Sequence, residues 1–269
     1  MTVTAEPVTR VSATVVYEAT SPATLALQVA AARGSGGLVV TTEHGGVAVE
    51  DVGTPVGGRQ HLVRVPPGTV TITYDTGVPA AASGPGPVTD RERVEALRPS
   101  RYCPSDRVAG LARGWFGGHA HAADRVRAIC DHVRNGIAYT PGCSGPTTDA
   151  VDTLLAGEGV CRDFAHVVAM LCRAVDVPAR VASAYAPGLT PMDLHAVVET
   201  ELDGSWWVWD PTGLAPRQTL VRIATGRDAA DTAFATIISG EARLRSLEVS
   251  AVAPGSLPLD DHRSPVWLG

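Results

Sequence analysis

Cys161 follows Gly157, Gly159 and Val160 in the stretch GEGVCRDFAHVVAMLCRAVDVPAR, residues 157–180, where a helical pattern begins. Phe164, Val167, Val168, Leu171 and Val175 fall at i, i+3, i+4, i+7 and i+11, the spacing of a helix buried along one side, and Pro178 ends it. A helix N-terminus carries partial positive charge and unpaired N–H groups, so a thiol in its first turn is drawn toward the nucleophilic thiolate. The two glycines let the chain turn sharply into the helix and leave room beside the sulfur. The same position also suits a buried cysteine packing as a small hydrophobe, and position alone does not separate the two.

A cysteine nucleophile needs a histidine within hydrogen-bond reach and a third group that orients the imidazole. His195 in LHAVVETEL and Asp210 in SWWVWD lie in two strand-like runs joined by Asp203-Gly204, a hairpin-turn pair. With an even loop centred there, opposed residues have numbers summing to 407, so Asp210 faces Val197. Side chains alternate, so Val197 and His195 share a face and Asp210 is a diagonal neighbour of His195, about 7 Å away between backbones. Alone, such a pair is more often a satisfied polar contact; beside a helix-start cysteine it reads as a Cys161, His195, Asp210 triad. His166, five residues past Cys161 and about 140° around the helix, is a poor partner for the thiol and is expected to be a capped or surface histidine. Tyr102, in PSRYCPSD, is either a donor to an oxyanion or a packing residue before a proline.

The elements that must position these groups fall into an α+β pattern. Residues 1–80 hold short β-branched runs such as SATVVYEA, HLVRV and TVTITYD between Gly and Pro punctuation, the pattern of a small β-sandwich-like domain. GVPAAASGPGPVTD reads as a linker, placed at 81–98. From 99 to 250 helices come first, then an antiparallel sheet, and 251–269 reads as an irregular tail.

Composition limits the partners. The 269 residues are 45% hydrophobic, enough for a real core, and the formal net charge of −6 argues against nucleic acid as a partner. The start MTVTAEPVTR lacks a signal-peptide pattern and no run is apolar enough for a membrane span, so a cytoplasmic protein without membrane association is expected. Cys103, Cys130, Cys143, Cys161 and Cys172 form no C-x-x-C pair, so neither disulfides nor a Cys-rich zinc site is expected. His119 and His121 have no obvious third ligand, EF-hand loops are absent, and no metal or cofactor is implied.

GVCRDFAHVVAMLCRAVDVPARV, then LHAVVE, then WWVWDPT, in that order, resemble the core of the bacterial transglutaminase-like superfamily over about residues 95–240. The resemblance implies a papain-like core in which a helix bearing Cys161 packs on an antiparallel sheet bearing His195 and Asp210. It further implies that Cys161 is the nucleophile, His195 the general base and acid, and Asp210 the group that fixes the histidine tautomer. Residues 1–80 resemble the amino-terminal domain often joined to this core, and PSRYCPSD and GRDAADTAF also resemble family stretches. The chain departs from the His-Ala-Trp of many members with His195-Ala196-Val197, leaving Trp206 as the aromatic that could shield the His–Asp pair. The chemistry implied is acyl transfer through a Cys161 thioester, on an amide or isopeptide bond of a peptide or protein, with the Cys161 N–H as oxyanion donor. A cysteine peptidase or amidase is the first reading. An amine-dependent transglutaminase and a catalytically weak interaction scaffold are the alternatives, and the oligomeric state is open.

Overall fold

The computed structural model describes residues 8–54, 57–80 and 84–269. Seven strands come first: β1 (Val8–Ala19), β2 (Ala23–Leu27), β3 (Val39–Thr42), β4 (Gly45–Val47), β5 (Val49–Val52), β6 (Gln60–Val65) and β7 (Gly68–Pro79). A mainly helical stretch follows, with α1 (Asp90–Leu97), α2 (Ala109–Phe116), α3 (Ala122–Gly136), β8 (Ala138–Tyr139), α4 (Ala150–Ala156), β9 (Glu158–Gly159) and α5 (Cys161–Ala174). The chain then forms β10 (Ala179–Tyr185), β11 (Leu194–Leu202), β12 (Ser205–Trp209), β13 (Val221–Gly226), α6 (Ala229–Thr232), β14 (Ala235–Ser239) and β15 (Ala242–Val252).

Period-2 alternation builds the amino-terminal sandwich. Val11, Ala13, Val15 and Tyr17 of β1 and Val70, Ile72, Tyr74 and Val78 of β7 turn inward, against Leu25, Leu27, Val63 and Val65 of a second sheet. The sheets run β15-β1-β7-β3-β4 and β14-β2-β6-β5. Both sheets thus take an edge strand from residues 235–252, of which 235–250 fall in the span expected to belong to the core and 251–252 in the expected irregular tail. Such strands pair with residues more than 200 positions away, as Thr14 does with Glu248, and local sequence cannot say which sheet a strand will join. The expected linker likewise contains α1, whose Thr89 and Glu92 form a reciprocal capping box, a signal present in the sequence and not used.

The second unit is a sheet of order β12-β11-β10-β13 with α5 packed on β10 and β11. Every residue of α5 from Asp163 to Ala174 is buried, so the helix is covered on all sides rather than along one. The units share a core, because Tyr185, Val221, Ile223 and Ala224 join the sandwich cluster. The Tyr185 hydroxyl donates to the Val29 carbonyl at 2.7 Å, and its ring stacks on Tyr74 at 6.4 Å between centroids. Among the described residues no helix is long and apolar enough to cross a membrane.

Tyr185→Phe removes that donor and leaves a buried carbonyl unpaired. A loss of about 1–2 kcal/mol in denaturant unfolding is expected.

Candidate active site

Asp203 (φ 52°) and Gly204 (φ 80°) both take left-handed backbone, which suits a two-residue turn joining β11 to β12. Leu202 opposes Ser205 and Val198 opposes Trp209, the register expected from the sequence. Beyond the last paired residues His195 Nε2 and Asp210 Oδ2 meet at 2.8 Å, with both side chains shielded from solvent. A carboxylate only accepts, so Nε2 carries the proton and donates. The second oxygen of Asp210 accepts from the Thr212 N–H at 2.9 Å and the Thr212 hydroxyl at 2.6 Å, which gives the Asp-Pro-Thr run its local meaning. Burial pushes the His195 pKa down, but the Asp210 charge and hydrogen bond outweigh it and the net shift is upward, with the Cys161 thiol acting in the same direction. Asp210 is the converse case: burial raises its pKa, and His195 and Thr212 bring it below the ordinary value. With Nε2 occupied, Nδ1 is the ring nitrogen left for the thiol; it is buried and has no hydrogen-bond partner among the described residues, while the Cys161 thiol acts on the ring electrostatically.

Cys161 is the first residue of α5 and is half-buried. Its helix start is held by Asp163, which is fully buried and accepts from the Val160 N–H at 2.9 Å and from the Ser144 hydroxyl. Arg162 pairs with Asp163 at 2.9 Å and also donates to Ser144 and to the Gly145 carbonyl, so this ion pair fastens the loop before α4 to the start of α5. The glycines act differently from the expectation. Gly157 caps α4 in the left-handed region, and a Cβ on Gly159 would come within 2.8 Å of Asp163 Cβ and 3.1 Å of Thr153 Cγ2. Gly159 therefore makes room for the capping aspartate rather than for the sulfur.

Tyr139 was not singled out from the sequence. It sits on β8, which pairs in parallel with β9 and sets Tyr139 opposite Gly159, two residues before Cys161. Its ring lies 6.0 Å from Phe164, and Cys161 is the neighbour that acts most on its hydroxyl electrostatically. Burial first, and the neighbouring thiol second, push that phenol up to about 12. The signal in Ala-Tyr-Thr-Pro was slight, because a two-residue parallel pairing has no local signature.

The remaining residues fall partly where the sequence suggests and partly elsewhere. Tyr102 donates to the Pro146 carbonyl at 2.6 Å and stacks on His166 at 5.2 Å, a packing role. His166 is fully buried rather than at the surface, and its Nε2 accepts from the Ala229 N–H at 3.1 Å. Asp228 accepts from the Tyr102 N–H at 2.9 Å, so the PSRYCPSD and GRDAADTAF stretches meet behind α5. Trp206 does not cover the His–Asp pair: its ring carries the Arg180 guanidinium at 4.1 Å and its Nε1 reaches Glu92. Val197, Val208 and Leu268 belong to a separate apolar cluster. His119 and His121 are exposed.

Residues 109–211 match the transglutaminase-like superfamily. The whole fold is similar to the crystal structure of a candidate cysteine protease from Cytophaga hutchinsonii, with a TM-score of 0.84 and 31% identity over 99% of this chain and 95% of that one. An uncharacterised protein of Mycobacterium leprae is 29% identical over 148 residues, 52% of this chain and 53% of the relative. One of Mycobacterium tuberculosis is 26% identical over 202 residues, 63% of this chain and 64% of the relative. The chain thus spans between half and two thirds of the length of these mycobacterial relatives. It belongs to the transglutaminase-like superfamily, with an α+β fold and an amino-terminal β-rich region.

Two predictions arise here. Burial pushes the Cys103 and Cys130 thiols up to about 12 and Cys172 well above its ordinary value, while Cys143 is exposed and lies in a loop rather than at a helix start. Iodoacetamide near neutral pH should label Cys161 first, Cys143 at the rate of a simple exposed thiol, and the other three only on unfolding. Peptide mapping reads the order, and Cys143 labelling ahead of Cys161 would count against the site. The second concerns His166, whose pKa burial lowers to about 4. Below the ordinary pKa of 6.5 the unfolded chain takes up a proton that the folded chain refuses, so stability falls between about pH 6.5 and 4, by about 3 kcal/mol in all. His166→Gln should flatten this part of the stability–pH curve; an unchanged slope would show that His166 does not set it.

Proposed function

We propose that the protein is a thiol-dependent amide hydrolase acting on a peptide or protein, with Cys161 as nucleophile, His195 as general base and acid, and Asp210 as the residue that orients His195. The observation that carries this reading is the solvent-shielded His195–Asp210 bond of 2.8 Å, whose imidazole has a cysteine at a helix start as its remaining neighbour. His195 Nδ1 takes the thiol proton and the sulfur attacks the amide carbonyl carbon. The carbonyl oxygen gains charge, and two groups stand ready for it: the Cys161 N–H, which as the first of the helix has no intrahelical acceptor, and the Tyr139 hydroxyl beside it. The C–N bond breaks as His195 returns the proton to the leaving amine. Water, deprotonated by His195, then cleaves the thioester, releasing the acid and restoring the thiol. The raised His195 pKa suits the imidazolium that this sequence requires twice.

The test is incubation with casein and a labelled primary amine. Hydrolysis gives peptide fragments or ammonia with no label retained, and Cys161→Ala lowers it about a thousandfold or more. Label fixed in casein would replace hydrolysis with transamidation, and fast Cys161 alkylation without either activity would leave a scaffold. All 22 basic residues are Arg, whose guanidinium is a very poor acyl acceptor, so no ladder of multimers cross-linked through enzyme side chains is expected under any reading.

A further inference from the structure

Residues 253–269 form no helix or strand, yet they are tied to the hairpin that carries His195 and Asp210. Arg217, 2% exposed, is the tie. Its Nε and Nη2 donate to the two oxygens of Asp260 at 2.8 Å each, and its own N–H reaches Asp260 at 2.9 Å. Nη2 also donates to the Ser264 carbonyl at 3.2 Å, while Nη1 donates to the carbonyl of Val208 at 3.0 Å. Only a planar guanidinium can meet a carboxylate with two N–H groups and hold a carbonyl with another. Val208 lies two residues before Asp210 on the edge strand β12, and its N–H donates to the Val266 carbonyl at 2.7 Å. The tail therefore takes the place of a further strand beside β12. Leu268, 3% exposed, packs with Val197 and Val208 of the same hairpin. From α3, Arg134 donates to the carbonyls of Asp210 and Pro211, both at 3.1 Å. A cavity of about 270 Å³ between α3 and the carboxyl-terminal segment is lined in part by Arg134, Asp210, Arg217 and His262.

We propose that Arg217 and Asp260 are positioning residues: the ion pair straps the carboxyl-terminal segment across β12 and fixes the backbone from which Asp210 reaches His195. The proposal rests on the hydrolase reading, because it assigns the strap a part in that reaction. A displacement of about 1 Å at a catalytic contact can cost on the order of a hundredfold in rate, so a tie two residues from Asp210 is close enough to matter.

The titratable and charged groups around His195–Asp210 and the Arg217 tie are Cys161, Cys130, Arg134, Arg217, Asp260, Asp261 and His262, so the titration is read at His195 itself. In full-length protein labelled with 15N-histidine, the His195 midpoint should lie above the ordinary 6.5 and fall by about one pH unit in Asp260→Asn. Turnover of casein should fall about tenfold with KM unchanged, and Asp260→Glu should recover both. Leu268→Ala, which loosens the same segment through packing, should move the midpoint in the same direction by less, and it serves if Asp260→Asn does not fold. A lowered melting temperature with the His195 midpoint and turnover unchanged would overturn the proposal, leaving the tail a purely structural role. Wild-type protein that hydrolyses nothing would instead remove the hydrolase reading, and with it any part for the strap in that reaction, while the midpoint shift would still show whether the tail sets the His195–Asp210 geometry.

Discussion

The hydrogen bond between His195 and Asp210 is the constraint around which the second half of the chain is arranged. Removing a carboxylate and an imidazole from water costs several kcal/mol per charged group, and their mutual attraction repays it only when the geometry is good and the remaining lone pairs are filled. The chain meets both conditions locally. Thr212, two residues on, fills the free oxygen of Asp210, and Arg134 from α3 fixes the carbonyls of Asp210 and Pro211. The hairpin register supplies the rest, since a slip of one residue would carry Asp210 to the opposite face of the sheet.

The helix start is organised by the same logic at smaller cost. A helix that begins inside the protein leaves N–H groups unpaired, and a buried carboxylate at the third position satisfies the Val160 N–H while complementing the helix dipole. Asp163 thereby resolves the backbone problem at the start of α5 without drawing on the Cys161 thiol. The need for that carboxylate accounts for glycine at 159 and for the Arg162 and Ser144 contacts that stitch a distant loop to it.

What the sequence made legible is what is local or periodic. The two-residue turn, the alternation of β11 and β12 and the 3.6-residue stripe of α5 each follow from neighbours in the chain, so His195, Asp210 and Cys161 could be placed relative to their own elements. What it concealed depends on distant pairing. β14 and β15 look like any other short strands, and their place in the sandwich is decided by β2 and β1 at the other end of the chain. Tyr139 reaches Cys161 only through the pairing of β8 with β9 across α4. Trp206 shares a face with the site by alternation, but α1 and Arg180 compete for its ring, and neither could be located before the sheet was assembled. His166 was misplaced because a stripe count assumes one solvent face, and α5 has none.

The interlocking of the two halves follows from how little of α5 and its sheet would be covered by the central helices alone. The β10 strand buries residues on both faces, with Val181 in the helix-side cluster and Ala182 and Ala184 in the cluster closed by Leu268. Its end then plants Tyr185 in the sandwich, where a buried hydroxyl must find an acceptor and finds the Val29 carbonyl. A strand held at three points in this way has little freedom to twist or slide. Since β10 pairs with β11 through Ala184 and His195, that rigidity is passed to the imidazole by one ladder step. The amino-terminal sandwich, completed by strands from beyond the β11–β12 hairpin, is therefore part of the mechanical frame of the candidate site and cannot be removed without exposing one end of that strand.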